Sequence, residues 1–296
     1  MSLTFEGAFT ALVTPFKQGE VDLAALAALT EFQVTDGIAG LVPCGTTGES
    51  PTLTADEHRA IVETVVKTAR GRVPVIAGTG SNNTADTIAR TRAVKALGVD
   101  AAMVVMPYYN KPSQAGLLAH VRAVHDATDL PLVLYNVPTR GTADLLPETV
   151  VEMAKHCPRV VALKEATGNI VRAQEVMRRL GDRLAVLSGD DALTLGMMAC
   201  GARGVISVTS NALPGAVQAV VAAALGGDWA TARRLHLKLV PVHDAMFTET
   251  NPGPVKGVLA AEGRIAAEVR LPLAWPAQSN VDKTLAAIAA WRKGEG

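Results

Sequence analysis

Residues 160–165 read Val160-Val161-Ala162-Leu163-Lys164-Glu165, a run of four apolar residues followed by two charged ones. A run this apolar predicts a strand covered on both faces, as in a parallel sheet flanked by helices. Because side chains alternate along a strand, we expect Lys164 on the face of Val160 and Ala162, with Glu165 opposite. The segment therefore predicts a buried strand with a lysine near its carboxyl end.

Similar apolar runs alternate with segments of helical periodicity along the chain. We predict strands over residues 9–14, 40–44, 73–78, 101–106, 130–136, 160–165, 184–188 and 204–208. The predicted helices span residues 22–35, 54–69, 84–97, 114–127, 147–155, 170–180, 192–200 and 214–225. Repeated βα units favour the α/β class and a closed (β/α)8 TIM barrel. A doubly wound open sheet is the alternative, but Thr14-Pro15-Phe16 stands where a glycine-rich dinucleotide turn would be.

After Gly226-Gly227 the alternation of strands and helices stops. Helical periodicity continues over residues 229–246, 254–261 and 281–292. We therefore predict a barrel over residues 1–225 and a C-terminal helical extension, a small module, over residues 226–296.

The composition favours a protein that acts on small molecules. Of 296 residues, 49% are hydrophobic, and 28 basic residues balance 28 acidic ones. This balance provides no electrostatic surface for nucleic acid or for an anionic membrane, so neither is an expected partner. No apolar run is long enough to span a bilayer, and the first residues do not resemble a secretion signal. We expect a cytoplasmic protein.

Lys164 is the strongest catalytic candidate, because active sites of such barrels lie at the carboxyl ends of the strands. A lysine that points into a tight interior is desolvated, which favours the neutral amine that a nucleophile requires. Such an amine can form an imine with a carbonyl substrate. The alternative is a lysine paired with a carboxylate at the strand end.

Polar residues follow several other predicted strands. The loop Gly45-Thr46-Thr47-Gly48-Glu49 offers hydroxyls and backbone N–H groups that could hold a carboxylate, although such loops are often simple turns. Tyr135 ends the fifth strand, where its phenol could move protons beside Lys164 or simply pack. Arg140 could bind a second carboxylate or lie in solvent. Tyr108 and Tyr109 are adjacent, so both cannot point into one pocket.

No metal site is predicted. The histidines lie mainly on predicted helices without the spacing of a ligand set, and we expect no cofactor. Asp190-Asp191 follows the seventh strand and could bind a cation, but capping of the next helix is the preferred interpretation.

Together these residues resemble the dihydrodipicolinate synthase family within the pyruvate aldolase and N-acetylneuraminate lyase superfamily. The resemblance runs nearly end to end and is strongest in the segments 45–50, 107–112, 135–138, 163–169, 188–191, 204–208 and 251–256. It implies that Lys164 forms an imine with pyruvate, while Thr47, Gly189 and the backbone near Ile206 hold the substrate. Tyr135 is then the proton donor and acceptor.

The resemblance further implies a proton relay through Thr46, Tyr135 and Tyr109, with Tyr109 coming from a neighbouring subunit. The enamine of pyruvate would attack L-aspartate 4-semialdehyde, whose carboxylate Arg140 binds, on the route to lysine and diaminopimelate. One departure is Gly141-Thr142 where the family usually has threonine before glycine.

Two other functions remain open on the sequence. A sugar-acid lyase that releases pyruvate would use the same lysine, but lacks the arginine in this context. A non-catalytic pyruvate sensor would need the carboxylate loop without a desolvated amine or a proton relay.

The resemblance also implies a regulatory lysine site and an assembly. Positions corresponding to the lysine site are Ser50, Pro51, Ala55, His58, Asn82, Asp86 and Tyr108. Ala55 replaces a histidine and Asp86 a longer glutamate, so we expect weak or absent feedback by lysine. The Tyr109 relay requires at least a homodimer, and the family suggests a homotetramer.

Overall fold

The computed structural model describes residues 5–294, and the expected (β/α)8 barrel is confirmed. The sheet strands are β1 (Gly7–Ala11), β4 (Gly40–Val42), β5 (Ile76–Gly78), β6 (Ala101–Val105), β7 (Leu132–Asn136), β8 (Val160–Glu165), β9 (Ala185–Ser188) and β10 (Gly204–Ser207). All are parallel, in the order β4-β1-β10-β9-β8-β7-β6-β5. A parallel bridge between Leu41 and Val75 joins β4 to β5 and closes the barrel.

Helices surround the barrel and continue beyond it. They are α1 (Leu23–Thr35), α2 (Ala55–Ala69), α3 (Thr84–Lys95), α4 (Gln114–Ala127), α5 (Pro138–Gly141), α6 (Pro147–His156), α7 (Ile170–Leu180), α8 (Thr194–Ala199), α9 (Pro214–Leu225), α10 (Trp229–Ala245), α11 (Gly253–Ala261) and α12 (Gln278–Lys293). Helix α10 packs on α9, and α12 packs on α10 and α11. The three C-terminal helices are thus present, while the domain boundary at residues 225 and 226 stays a prediction.

The apolar side chains form two layers. The barrel interior is filled from the strands by residues such as Phe9, Ile76, Val133, Ala162 and Ile206. A larger outer layer lies between the strands and the helices. The strands are therefore buried on both faces, as their apolar sequences predict.

The predicted face of Val160 is wrong. The register between β7 and β8 shifts near Leu132, so Val160 pairs with Leu132 and Ala162 with the next residue, Val133. Val160 belongs to the outer layer, whereas Ala162 lies in the interior. A strand irregularity adds a residue to one strand and interrupts simple alternation. Alternation still holds from Ala162 to Lys164, so the predicted direction of the lysine is correct.

Two short strands, β2 (Phe16–Lys17) and β3 (Glu20–Val21), form an antiparallel hairpin that the sequence patterns did not predict. None of the helices within residues 5–294 combines the length and apolarity needed to cross a membrane. The cytoplasmic location stays a prediction.

Candidate active site

A cavity of about 230 Å³ lies at the carboxyl ends of the barrel strands. Six of the predicted catalytic and substrate-binding residues line it: Thr46, Thr47, Tyr135, Arg140, Lys164 and Gly189. They come together because the carboxyl ends of all the parallel strands meet at one rim. A larger cavity of about 1010 Å³ lies at the opposite rim beside Glu6, Val161 and Arg203, and none of the six lines it.

The Lys164 side chain is buried, with 6% of its surface exposed, and it points into the barrel mouth. Register pairs Tyr135 on β7 with Lys164 on β8, and the Lys164 Nζ lies 4.3 Å from the centre of the Tyr135 ring. Lys164 forms no salt bridge with any residue of the described range 5–294. The alternative of a lysine paired with a carboxylate is therefore wrong for this part of the chain.

Glu165 faces away from the cavity, as alternation predicts. Its carboxylate binds Arg172 of α7 at 3.1 Å, and it also accepts a hydrogen bond from the backbone N–H of Thr167. The adjacent carboxylate is thus occupied in the outer layer and does not compete for Lys164.

Gly189 leaves room for the lysine. Its N–H donates to the Glu165 carbonyl at 2.7 Å, which holds the end of β9 against β8. A Cβ at this position would lie 2.6 Å from the Ala166 Cβ and 3.1 Å from the Lys164 Cε. Contacts this short require the backbone or the lysine to move, so a glycine is needed for the observed side-chain position.

The loop after β4 leaves hydrogen-bond donors free. Gly48 N–H donates to the Gly45 carbonyl, and Glu49 N–H donates to the Thr46 carbonyl. The N–H groups of Thr46 and Thr47 have no acceptor within residues 5–294. Two adjacent unpaired N–H groups beside a threonine hydroxyl form a concave donor set that suits a carboxylate. We call residues 45–49 the cradle loop.

A buried ion pair anchors the cradle loop to α11. The Glu49 carboxylate lies 2.7 Å from the Lys256 Nζ, and both side chains are fully buried. Lys256 also donates to the Thr14 carbonyl at 2.9 Å, while the second Glu49 oxygen accepts from the Arg270 backbone N–H. Burial lowers the pKa of Lys256, and the neighbouring Glu49 opposes that shift. The pair fixes where the loop lies relative to the C-terminal segment.

The two adjacent aspartates have different roles. Asp190 lines the cavity, and its Oδ1 accepts from the backbone N–H of Ala192 at 2.9 Å, in the turn before α8. The expected capping of α8 is wrong, because this helix begins at Thr194 with Leu193 as its N-cap and no side chain bonded to its first turn. Burial raises the pKa of Asp190. Asp191 does not cap but accepts from the backbone N–H groups of Val208 and Thr209, which holds the segment after β10.

Arg140 and the two tyrosines occupy distinct places. Arg140 lies on the short helix α5 and lines both this cavity and a neighbouring one of about 300 Å³. Tyr108 lines the neighbouring cavity. Tyr109 lines neither, and 85% of its surface is exposed in the single chain. The two tyrosines thus point to different places, as their adjacency predicts, and Ile206 lies in the barrel interior below the cavity.

Only some of the residues predicted for the regulatory lysine site line a common cavity. Ser50, Pro51 and Tyr108 line the neighbouring cavity, whereas His58, Asn82 and Asp86 do not. His58 is buried with its Nε2 2.7 Å from the Gly78 carbonyl oxygen, and burial lowers its pKa. Asp86 is 3.0 Å from Arg90.

No group of three or more metal-ligating side chains occurs in the part of the chain that the structure describes. Among the cavity residues that were not predicted as site residues are Phe247 and Asn251, which follow α10. Asn251 begins the segment 251–256, one of the stretches in which the family resemblance is strongest. The residue pattern of this segment does not predict which residues Asn251 contacts.

Comparison with known proteins assigns the family. The profile of the dihydrodipicolinate synthetase family matches residues 4–290. A 4-hydroxy-tetrahydrodipicolinate synthase from Sorangium cellulosum is 58% identical over 273 residues, covering 92% of this chain and 91% of the relative. The chain belongs to the dihydrodipicolinate synthetase family.

Solved structures of this family have the same fold. Dihydrodipicolinate synthase from Aquifex aeolicus has a TM-score of 0.95 at 45% identity, covering 97% of this chain and 98% of that chain. A structure described as the first monomeric dihydrodipicolinate synthase variant also has a TM-score of 0.95, at 37% identity and with 97% of each chain covered. The dihydrodipicolinate synthetase fold is therefore present in a monomeric variant too.

Proposed function

We propose that this chain is a 4-hydroxy-tetrahydrodipicolinate synthase, which condenses pyruvate with L-aspartate 4-semialdehyde in lysine and diaminopimelate biosynthesis. The observation that carries the proposal is Lys164, a buried lysine without a salt bridge in the described chain, at the floor of a small polar cavity. Relatives of this chain that carry the same enzyme name support the substrate pair.

Pyruvate binds first. Its carboxylate accepts hydrogen bonds from the cradle loop, through the N–H groups of Thr46 and Thr47 and the Thr47 hydroxyl. The Lys164 amine then attacks the ketone carbon, and loss of water gives an imine. The backbone near Gly189 and Ile206 shapes the space around the bound keto acid.

The imine draws electrons from the adjacent methyl group, so that a proton can leave it and an enamine forms. Tyr135 is the group that accepts and returns protons, because its ring lies against Lys164. The enamine carbon attacks the aldehyde carbon of the semialdehyde, whose carboxylate binds Arg140. The amino group of the same substrate then displaces Lys164 from the imine carbon and closes the ring.

Lyase and sensor functions are less well supported. Relatives from Sorangium cellulosum and Geotalea uraniireducens bear the synthase name, and Arg140 lines the cavity where a second carboxylate would lie. A sensor has no physical need for a buried amine in contact with a phenol. No observation favours either alternative over the synthase.

The proposed relay through Thr46, Tyr135 and Tyr109 requires a second subunit. Tyr109 is exposed and lies outside the cavity of its own chain, which leaves it available to a neighbouring one. We propose a homodimer as the catalytic unit and a homotetramer as the full assembly. Weak feedback by lysine remains our proposal, on the grounds of Ala55 and of the short Asp86 side chain.

Mass spectrometry of the intact protein tests the function. Incubation with pyruvate and borohydride should add the mass of reduced pyruvate to the wild type but not to Lys164→Ala. Lys155→Ala, which removes an exposed lysine from α6, is the matched control and should keep the adduct. Absence of an adduct on the wild type would exclude imine chemistry. An adduct without consumption of the semialdehyde would support a lyase or a sensor.

A further inference from the structure

We propose that Asn251 is a positioning residue for pyruvate, which acts by directing the hydroxyl proton of Thr47 toward the bound carboxylate. The inference rests on the proposed function and concerns the binding of its first substrate. Asn251 lies outside the eight βα units, in the segment between α10 and α11. It nevertheless lines the same cavity as Lys164 and Thr47.

The contact between Asn251 and Thr47 sets the direction of the hydroxyl. Asn251 Nδ2 donates to Thr47 Oγ1 at 3.0 Å, and the two side chains are buried, with 5% and 2% of their surfaces exposed. An amide NH2 has only protons to offer, so the Thr47 oxygen must accept at this contact. The hydroxyl proton must then point elsewhere, and it finds no acceptor within the described residues 5–294.

The unpaired N–H groups of Thr46 and Thr47 flank that hydroxyl. A carboxylate seated in the cradle loop would therefore meet three donors, of which the hydroxyl is directed only because Asn251 occupies its acceptor side. Hydrogen bonds from directed donors to a charged acceptor are stronger than those between neutral groups. Without Asn251 the Thr47 hydroxyl can rotate and present its oxygen to the substrate for part of the time. An ionised carboxylate has no proton to donate to that oxygen, so the hydrogen bond is then lost.

A purely structural role for Asn251 fits the contacts poorly. Its Oδ1 is buried and has no hydrogen-bond partner in the described part of the chain. A buried acceptor without a partner costs stability, so a side chain kept for stability alone would not leave one. The amide is retained at that cost on the edge of the cavity.

Lys256, at the far end of the segment 251–256, helps to hold Asn251 in place. Lys256, five residues later, is held by Glu49 of the cradle loop and by the Thr14 carbonyl. The segment 251–256 thus contacts the cradle loop at Thr47 and at Glu49. This double attachment holds the Asn251 amide against the Thr47 hydroxyl.

Pyruvate titration with borohydride trapping measures the predicted effect without the second substrate. Asn251→Leu, which is similar in size and has no hydrogen-bonding groups, should raise the pyruvate concentration for half-maximal adduct by about tenfold or more. Thr47→Val should do the same, and the double variant should be no worse than either, because both remove one interaction. At saturating pyruvate the turnover should change much less.

Two further variants separate positioning from folding. Asn251→Asp keeps the shape of the side chain but offers only acceptors when ionised. It should therefore draw the Thr47 hydroxyl proton away from pyruvate and raise the half-saturating pyruvate concentration at least as much as Asn251→Leu does. Asn280→Leu is the matched control, because Asn280 of α12 donates to Glu249 outside the cavity. It should leave pyruvate binding unchanged, and thermal unfolding should confirm that all variants are folded.

Two results of the titration would overturn the proposal. One is a half-saturating pyruvate concentration within twofold of the wild-type value for both Asn251 variants. The other is a double variant whose effect equals the sum of the effects of Asn251→Leu and Thr47→Val. Failure of both Asn251 variants to fold would assign the residue a structural role and overturn it as well. Absence of any adduct on the wild type would instead contradict the proposed function.

Discussion

Gly189 shows how a missing side chain determines where a catalytic one lies. A Cβ at this position would approach the Lys164 Cε to 3.1 Å and the Ala166 Cβ to 2.6 Å. We expect Gly189→Ala to displace the amine and to slow adduct formation by about tenfold to a hundredfold, since small misplacements of reacting groups are costly. Rapid-quench trapping with pyruvate measures this rate.

The control for Gly189→Ala is Gly116→Ala in α4. Its new Cβ would meet only Pro112 and Ser113, at 3.3 and 3.6 Å. Because both neighbours lie outside the cavity that Lys164 lines and alanine is compatible with the helix, this variant should fold and form the adduct at the wild-type rate. An unchanged rate in Gly189→Ala would show that the lysine tolerates the shift.

Residues near Lys164 were predictable to different degrees. A lysine in an apolar strand is conspicuous, and the direction of its side chain follows from alternation. The contact of Asn251 with Thr47 spans 204 residues of sequence, and no local pattern specifies it. The exposed position of Tyr109 likewise depends on the tertiary path of its loop, where its φ is positive at 71°.

At the scale of elements, the Glu49–Lys256 pair joins the cradle loop to α11. Removal of one partner leaves a charge buried and uncompensated, so Lys256→Met should lower the free energy of unfolding by about 3–5 kcal/mol. Adding Glu49→Gln to that variant should recover part of the loss, because the stranded charge is then removed. Urea unfolding of the two variants measures both effects, and a wild-type midpoint for Lys256→Met would contradict the assignment.

The ion pair between Glu57 and Arg270 is a second link between elements, and its contribution to stability depends on pH. Glu57 in the first turn of α2 lies 2.5 Å from Arg270, and the hydrogen bond from this guanidinium lowers the pKa of the carboxyl from 4.5 to about 2. A lowered pKa in the folded state means that the ionised form stabilises the fold. This contribution is complete above pH 4.5 and is lost as the pH falls toward about 2.

Glu57→Gln should therefore lower the Tm at neutral pH, and its difference from the wild type should shrink as the pH falls through that window. Asp56→Asn, in the same turn and without an ion pair in the described chain, should show a smaller difference at neutral pH. A Tm difference for Glu57→Gln that does not vary with pH would exclude the ion pair as its cause.

Elements with strong periodicity were predicted well. Helices α4, α7 and α9 and strand β8 have the predicted bounds. The short hairpin of β2 and β3 was missed because two-residue strands are too short to show a period. The outward position of Val160 was missed because the register shift depends on pairing with β7, which one strand alone does not reveal.

For the whole molecule, the proposed assembly can be tested by mixing subunits. Lys164→Ala and Tyr109→Phe should each have low activity alone. If Tyr109 serves the site of its neighbour, a mixed dimer holds one intact site, because Lys164 of one chain meets Tyr109 of the other. Random re-association of equal amounts should then restore about a quarter of the wild-type activity in steady-state assays.

Recovery in the mixture would support the shared site, and its dependence on dilution would give the strength of the dimer. Absence of recovery although mixed dimers have formed would exclude Tyr109 from the site of the neighbouring subunit. Full activity of Tyr109→Phe alone would place Tyr109 outside the relay.

The attachment of the cradle loop to Asn251 and Lys256 also constrains how the protein matures during synthesis. Strand β8 and its lysine leave the ribosome long before Lys256, which lies 207 residues after its partner Glu49. Until that late segment emerges, Glu49 has no counter-ion and Thr47 has no amide beside it. A nascent or truncated chain that ends before this segment would thus display the amine with a weakened hold on a keto acid, so that full affinity for the substrate is reached only late in synthesis.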